Sequence, residues 1–273
     1  MIRKSFKKLR QSKVNSIHLK RFDDYYTLFF NNNRTIYPEL ISVIPWKKIL
    51  ILTPHADDET LGCGGLTLRA IKEGNDVKVL LLSDNSESIK HENTDFIIQT
   101  RSHEFNNAMK NLGVSDFSEL KLAPADFINS KFLINQLCGI IKGYNPDAIL
   151  LPSPADNHEE HRILNEIFFH TISKLIKDKR SASVSKTSIL FYEVWTAIYP
   201  NLILDITDVL KQKENAIKCY TSQLQNINYL SAFKGLNRYR SITHLKGEGF
   251  CEAFFRLSID DYLKTANKIL KHG

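Results

Sequence analysis

The chain has 273 residues, is 42% hydrophobic and carries a formal charge of +7 with a pI near 9.1. That length can bury one large core, and no run is apolar for long enough to form a bilayer-spanning helix, which excludes an integral membrane protein of that type. The charge is lopsided: Arg3, Lys4, Lys7, Lys8, Arg10, Lys13, Lys20 and Arg21 put +8 on residues 1–21 and leave the rest of the chain at −1. A near-neutral body gives no expectation of specific nucleic-acid binding.

The basic stretch is interspersed with Phe6, Leu9, Val14, Ile17 and Leu19. Its plain reading is a solvated leader, and the alternatives are peripheral contact of residues 1–21 with an anionic membrane surface or a nonspecific contact with nucleic acid. Polar residues interrupt it throughout, so it is not read as a secretory signal. We read residues 1–45 as a basic N-terminal arm and 46–273 as a single catalytic domain. Cys63, Cys138, Cys219 and Cys251 form no C-x-x-C pair, which points to reduced thiols and a cytoplasmic setting.

In chain order, the first buried strand is expected at 48–53 (KILILT), an apolar run without polar alternation. A helix over 61–73 ends at Gly74, and a second such strand follows at 77–83. Helices over 92–112 and 130–142 stop before Gly113 and Gly143, and a third strand occupies 148–152. A helix over 160–177, an exposed Ser/Lys-rich loop over 179–186, strands near 189–192 and 202–206, and a helix opening at Thr207 or Asp208 complete the series. Strand–helix alternation of this kind predicts an α/β fold: a Rossmann-like, mostly parallel sheet flanked by helices on both faces, with the active site at the carboxyl ends of the strands.

Two polar clusters stand at such strand ends. After 48–53 comes Pro54-His55-Ala56-Asp57-Asp58-Glu59, then Gly62, Gly64 and Gly65. One imidazole and three carboxylates delivered to a crevice need a cation to neutralise them. The glycine spacing is neither G-x-G-x-x-G nor a P-loop, so dinucleotide binding is a weak alternative. After 148–152 comes Ser153-Pro154-Ala155-Asp156-Asn157-His158-Glu159-Glu160-His161. Two imidazoles plus one carboxylate is a catalytic zinc set that leaves a position open, and a neighbouring carboxylate outside that set can act as base. The same set also serves non-haem iron(II) oxygenases, and a non-catalytic module recruited through the arm is a third reading.

These residues resemble the LmbE/PIG-L family of zinc-dependent N-deacetylases, marked by P/A-H-P-D-D-E with a Gly-rich turn and a later H-P-D-H. The resemblance covers roughly residues 46–256 and extends to Arg101, Glu104, Ala108, Leu112 and Gly113 and to Tyr220–Gln223. It implies one zinc ion per chain held by His55, Asp58 and His161, Asp57 as general base, and His158 as the imidazolium that steadies the oxyanion. It further implies Arg101 as a contact to substrate or to the acidic cluster, Asp126 as a substrate contact, and an N-acylated amino-sugar conjugate as substrate. Glu252 and His244 are weaker candidates, and Cys63 reads as packing. Two departures stand out: Ala56 replaces the usual Pro, and Glu160 the usual Asp, which leaves the pairing of His158 with a carboxylate open.

Overall fold

The computed structural model describes residues 37–88, 93–127, 130–178 and 182–264. Residues 1–21 and their expected membrane contact lie outside them. Eight strands form one sheet: β1 (Glu39–Ile41), β2 (Lys48–Thr53), β3 (Asp76–Ser83), β4 (Asp116–Leu122), β5 (Ala148–Pro152), β6 (Ser188–Tyr192), β7 (Leu202–Asp205) and β8 (Cys251–Ser258). Their spatial order is β1-β7-β8-β6-β5-β2-β3-β4. All pairings are parallel except those of β8, which runs antiparallel to β6 and β7.

The helices are α1 (Asp58–Lys72), α2 (Thr94–Leu112), α3 (Pro124–Phe127), α4 (Ser130–Tyr144), α5 (Glu159–Lys177), α6 (Leu210–Ile217), α7 (Thr221–Leu224), α8 (Tyr229–Arg240) and α9 (Ile242–Leu245). Successive residues of β2 face opposite ways, so each face of the sheet has its own core. Leu50 and Leu52 join Leu137 of α4 and Phe168 of α5 on one side. Ile49 and Ile51 join Leu66 of α1, Phe105 of α2 and Ala216 of α6 on the other. This double coverage explains the unbroken apolar runs.

Local chemistry sets the helix ends. The Asn93 side chain accepts from the amides of Asp95 (2.9 Å) and Phe96 (3.2 Å), capping α2, and Gly113 closes it at φ 76°. Several bounds differ from expectation. Residues 39–41, within the expected arm, pair with β7 as an edge strand. Residues 182–186 form a 3-10 turn whose Val184 is buried, which anchors part of the expected loop. The helix expected at 207 or 208 begins at Leu210, because Asp205 Oδ1 takes the Thr207 amide (2.9 Å) and hydroxyl (2.6 Å) into a turn. Among the described residues no helix is long and apolar enough to cross a membrane, and all four cysteines are free thiols.

The topology positions the site. From β2 the chain moves outward through β3 and β4, then returns to place β5 against the other edge of β2. Neighbouring strands whose connections diverge leave a crevice at their carboxyl ends. Both polar clusters emerge there, at Pro54–Asp58 and Ser153–His161.

Candidate active site

The β2–α1 junction is held in an uncommon conformation. Asp57 has φ 139° and ψ −30°, a region non-glycine residues rarely adopt. Several contacts enforce it: Ala56 N donates to Asn85 Oδ1 (2.9 Å), Arg101 donates to Ala56 O, Asp57 N donates to Glu59 Oε2 (3.2 Å), and Asp57 O receives the amides of Thr60 (3.0 Å) and Leu61 (2.9 Å). Backbone strain so over-determined is a mark of functional sites. Here it turns the Asp57 carboxylate into the crevice while Asp58 starts α1.

Three donor atoms converge across the two strand ends. Asp58 Oδ2 lies 3.2 Å from His55 Nδ1 and 3.1 Å from His161 Nε2, and the two nitrogens are 3.3 Å apart. Zinc–ligand bonds of about 2.0 Å in tetrahedral array separate the ligand atoms by about 3.3 Å, so this triangle fits a shared divalent cation. His158 adds a third ring to the cluster, with one ligand atom each of His55, His158 and His161 all within 4.8 Å of one another. The triangle that includes Asp58 is tighter. An outer contact orients one ligand ring, His55 Nε2 being bonded to Glu160 Oε2, while Asp156 Oδ1 lies 3.3 Å from His161 Nδ1 as an ion pair without hydrogen-bond geometry.

Without a cation the cluster balances its own charge. Burial works against an imidazolium at His55, but bonds to Asp58 and Glu160 outweigh it and hold the group up to about 10. Burial likewise opposes charge on His161, and Asp58 and Asp156 raise it to about 9. Asp58, despite burial, is pulled well below the usual carboxylate range by His161 and His55. Burial and then the neighbouring His55 and His161 push His158 down to about 4, so its ring is neutral in this state.

Asp57 is the crevice carboxylate that stands outside the donor triangle. Burial raises it to about 7, with Asp58 and Glu59 adding to the rise and Arg101 opposing it. Arg101, 1% exposed, spans Asp57 Oδ2 (3.1 Å) and Glu104 Oε2 (3.0 Å) and lies over the Tyr220 ring at 5.6 Å. Glu104 in turn receives Thr221 Oγ1 (2.9 Å), Ser222 N (2.6 Å) and Ser222 Oγ (2.8 Å), tying α2 to α7. Arg101 thus engages the acidic cluster while lining the same cavity.

That cavity, of about 420 Å³, opens over the triangle and is bounded by Asp57, Arg101, His158, Trp195, Gln223 and Tyr229 among others. His55, Asp57, Asp58, His158, His161 and Arg101 are brought together at this cavity, and the other expected residues are not. Asp126 is exposed on α3 and does not line the cavity, although its neighbour Pro124 does. Glu59, expected in the crevice with the other two carboxylates, turns inward instead. It accepts from Thr60 Oγ1 (2.5 Å), Tyr220 OH and Thr53 Oγ1 (3.3 Å). Glu252 is structural as well: α1 breaks its helical angles at Cys63, and Glu252 caps the amides of Gly65 (2.7 Å) and Leu66 (2.8 Å) while pairing with Lys213 (2.7 Å). His244 bonds Pro38 O (2.6 Å).

Sequence reasoning passed over Asp156. It receives His158 N (2.9 Å) and Trp195 N (2.9 Å) and reaches His161. An Asp two residues before a metal-type His was the available signal. Trp195 and Tyr229 had none, because they come from segments remote from both motifs.

Residues 50–172 match the family model described as PIG-L: GlcNAc-PI de-N-acetylase. That stretch is a PIG-L (LmbE-like) family-domain match. The chain is 25% identical over 217 residues to diacetylchitobiose deacetylase of Thermococcus kodakarensis, covering 71% of this chain and 80% of that protein. The structure of N,N'-diacetylchitobiose deacetylase from Pyrococcus horikoshii superposes with a TM-score of 0.69 at 21% identity, covering 80% of this chain and 86% of the other. The 4-carboxy-2-hydroxymuconate hydratase GalB of Pseudomonas putida gives a TM-score of 0.65 at 17% identity, with coverage of 77% and 96%. Both structural likenesses concern the fold alone, and the reaction has to be argued from the site itself.

Proposed function

We propose that this chain is a zinc-dependent N-deacetylase that removes an acetyl group from an amino-sugar conjugate, with one ion per chain held by His55, Asp58 and His161. The observation that carries the reading is the 3.1–3.3 Å triangle of donor atoms with a carboxylate outside it, Asp57, held beside it on a strained backbone. The relatives that are deacetylases of N-acetylated sugars support the substrate class.

A divalent ion in that triangle would supply a Lewis acid for an amide carbonyl and increase the acidity of water near it. The residues of the chain do the rest. Asp57, poised at about 7, accepts a proton from the attacking water and returns it to the leaving nitrogen. Arg101 fixes that carboxylate from behind and leaves its other oxygen for the cavity. His158, at the N-terminus of α5 with its ring against His55 (4.4 Å between centroids), faces the developing oxyanion. Trp195 and Tyr229, in edge contact at 6.2 Å, form the opposite wall and offer apolar faces to a sugar ring. Four unpaired thiols support a cytoplasmic setting.

The test is release of acetate from a panel of N-acetylated amino-sugar conjugates, measured before and after chelation and after zinc is restored. Turnover that stops with chelator and returns with zinc is expected. Oxygen consumption without acetate release would assign the site to iron chemistry, and water addition to an unsaturated acid would align it with the hydratase.

A further inference from the structure

The carboxylate that the sequence offers as a partner for His158 goes elsewhere. Glu160 stands in the first turn of α5, directly before His161, and its Oε2 bonds His55 Nε2 on the far strand end. His158 Nδ1, buried, has no hydrogen-bond partner among the described residues. One turn of helix therefore does two things: it sends His161 Nε2 into the donor triangle and holds the back of a second donor ring.

We propose that Glu160 is a positioning residue of the metal centre, fixing the His55 ring and closing the β5 strand end onto the β2 strand end. The inference rests on the metal-centre reading above. A neutral imidazole carries its proton on one nitrogen only, and the partner of that nitrogen decides which one. With the Nε2–H engaged by Glu160, the lone pair belongs to Nδ1, the atom that faces Asp58 and His161 at 3.2 and 3.3 Å. The ring is 19% exposed, so packing alone leaves it room to turn. Without Glu160, rotation and the other tautomer both compete with the ligating arrangement. The long glutamate side chain also crosses from α5 to the β2 loop, joining the strand ends a second time beside the Asp58–His161 contact.

The experiment is the zinc dissociation constant of full-length protein, by competition with a chromogenic chelator, for the native chain, Glu160→Gln and Glu159→Gln. Glutamine keeps the length and the half-exposed setting of Glu160, so the fold is retained. Glutamine replaces the charged acceptor of His55 Nε2–H by a neutral amide; mutation of such an outer partner of a ligand histidine weakens metal binding by about 10- to 100-fold, and Glu160→Gln is expected in that range. Its cobalt-loaded form is expected to show a changed visible spectrum. Glu159 is an exposed neighbour of equal charge without a bond to His55, and its variant is expected to stay within about threefold of the native chain, as a screened surface charge does. Equal affinity of Glu160→Gln and the native chain, or equal weakening by both variants, would overturn the positioning role while leaving the metal centre intact. A native chain that binds no zinc would remove both readings.

Discussion

Arg101→Met separates the role of Arg101 in folding from its role in catalysis. Methionine keeps most of the apolar stem beneath Tyr220 and removes three donated bonds, to Asp57, Glu104 and Ala56 O. Glu104 retains three other donors from Thr221 and Ser222, so the cost falls mainly on Asp57. At 3.1 Å and an effective dielectric of about 20, the lost attraction is about 5 kcal/mol before solvent and relaxation intervene. Breaking one side of a buried pair costs about 3–5 kcal/mol in total. Urea denaturation is therefore expected to show a loss in that range. The same cation opposes the rise of Asp57, which already stands at about 7. A base must be ionised to act, so activity rises with pH through its titration, and removal of Arg101 moves that acid limb upward by at least about one pH unit. A variant with less than about 1 kcal/mol of lost stability and an unmoved acid limb would refute the assignment.

Four further expectations concern the site and its packing. His55 and His161, held up to about 10 and about 9, are protonated at neutral pH in the metal-free protein, so zinc uptake at pH 7 should expel about two protons, read by calorimetry in buffers of different ionisation enthalpy. Because both groups lie above their unfolded value of 6.5, their contribution to stability is complete below that pH and is lost as pH rises through 9 and then 10. The Tm of the metal-free protein should fall across that window, whereas that of the zinc-loaded protein should not. Tyr229 lines the cavity 5% exposed, and burial, Asp57 and Asp58 raise its hydroxyl, which keeps it a donor. Tyr229→Phe should lower kcat/KM about tenfold, the equivalent of one hydrogen bond to substrate, with little change in urea stability. A Cβ added at Gly62 would stand 2.3 Å from Tyr192 Cδ2 and 2.8 Å from Glu193 O. Gly62→Ala should destabilise by about 1–3 kcal/mol through overpacking, checked by the denaturation midpoint.

The parallel core and the metal-type clusters were legible because continuous apolar runs and ionisable groups at strand ends leave few alternatives. The edges of the sheet were not. β4 mixes polar with apolar residues as an edge strand does, β1 is three residues long, and β8 carries Glu252 and Arg256 among its apolar residues. Each weakens the signature of a buried strand. Within the site, residue type marked Asp57 and the donor triangle, but side-chain direction required the fold. Glu59 and Glu160 are adjacent to residues of the triangle in sequence; one turns into the core toward Tyr220 and the other reaches His55. The opposite wall, from Trp195 and Tyr229, depends on long-range packing that no local pattern reports.

The most direct test of the central claim is zinc stoichiometry by equilibrium dialysis on the native chain, Asp57→Asn and His161→Ala, followed by acetate release from each. One ion per chain in the native protein and in Asp57→Asn, none in His161→Ala, and turnover only in the native protein is the predicted pattern. An inactive Asp57→Asn that has also lost its zinc, or a His161→Ala that retains both zinc and turnover, would contradict it.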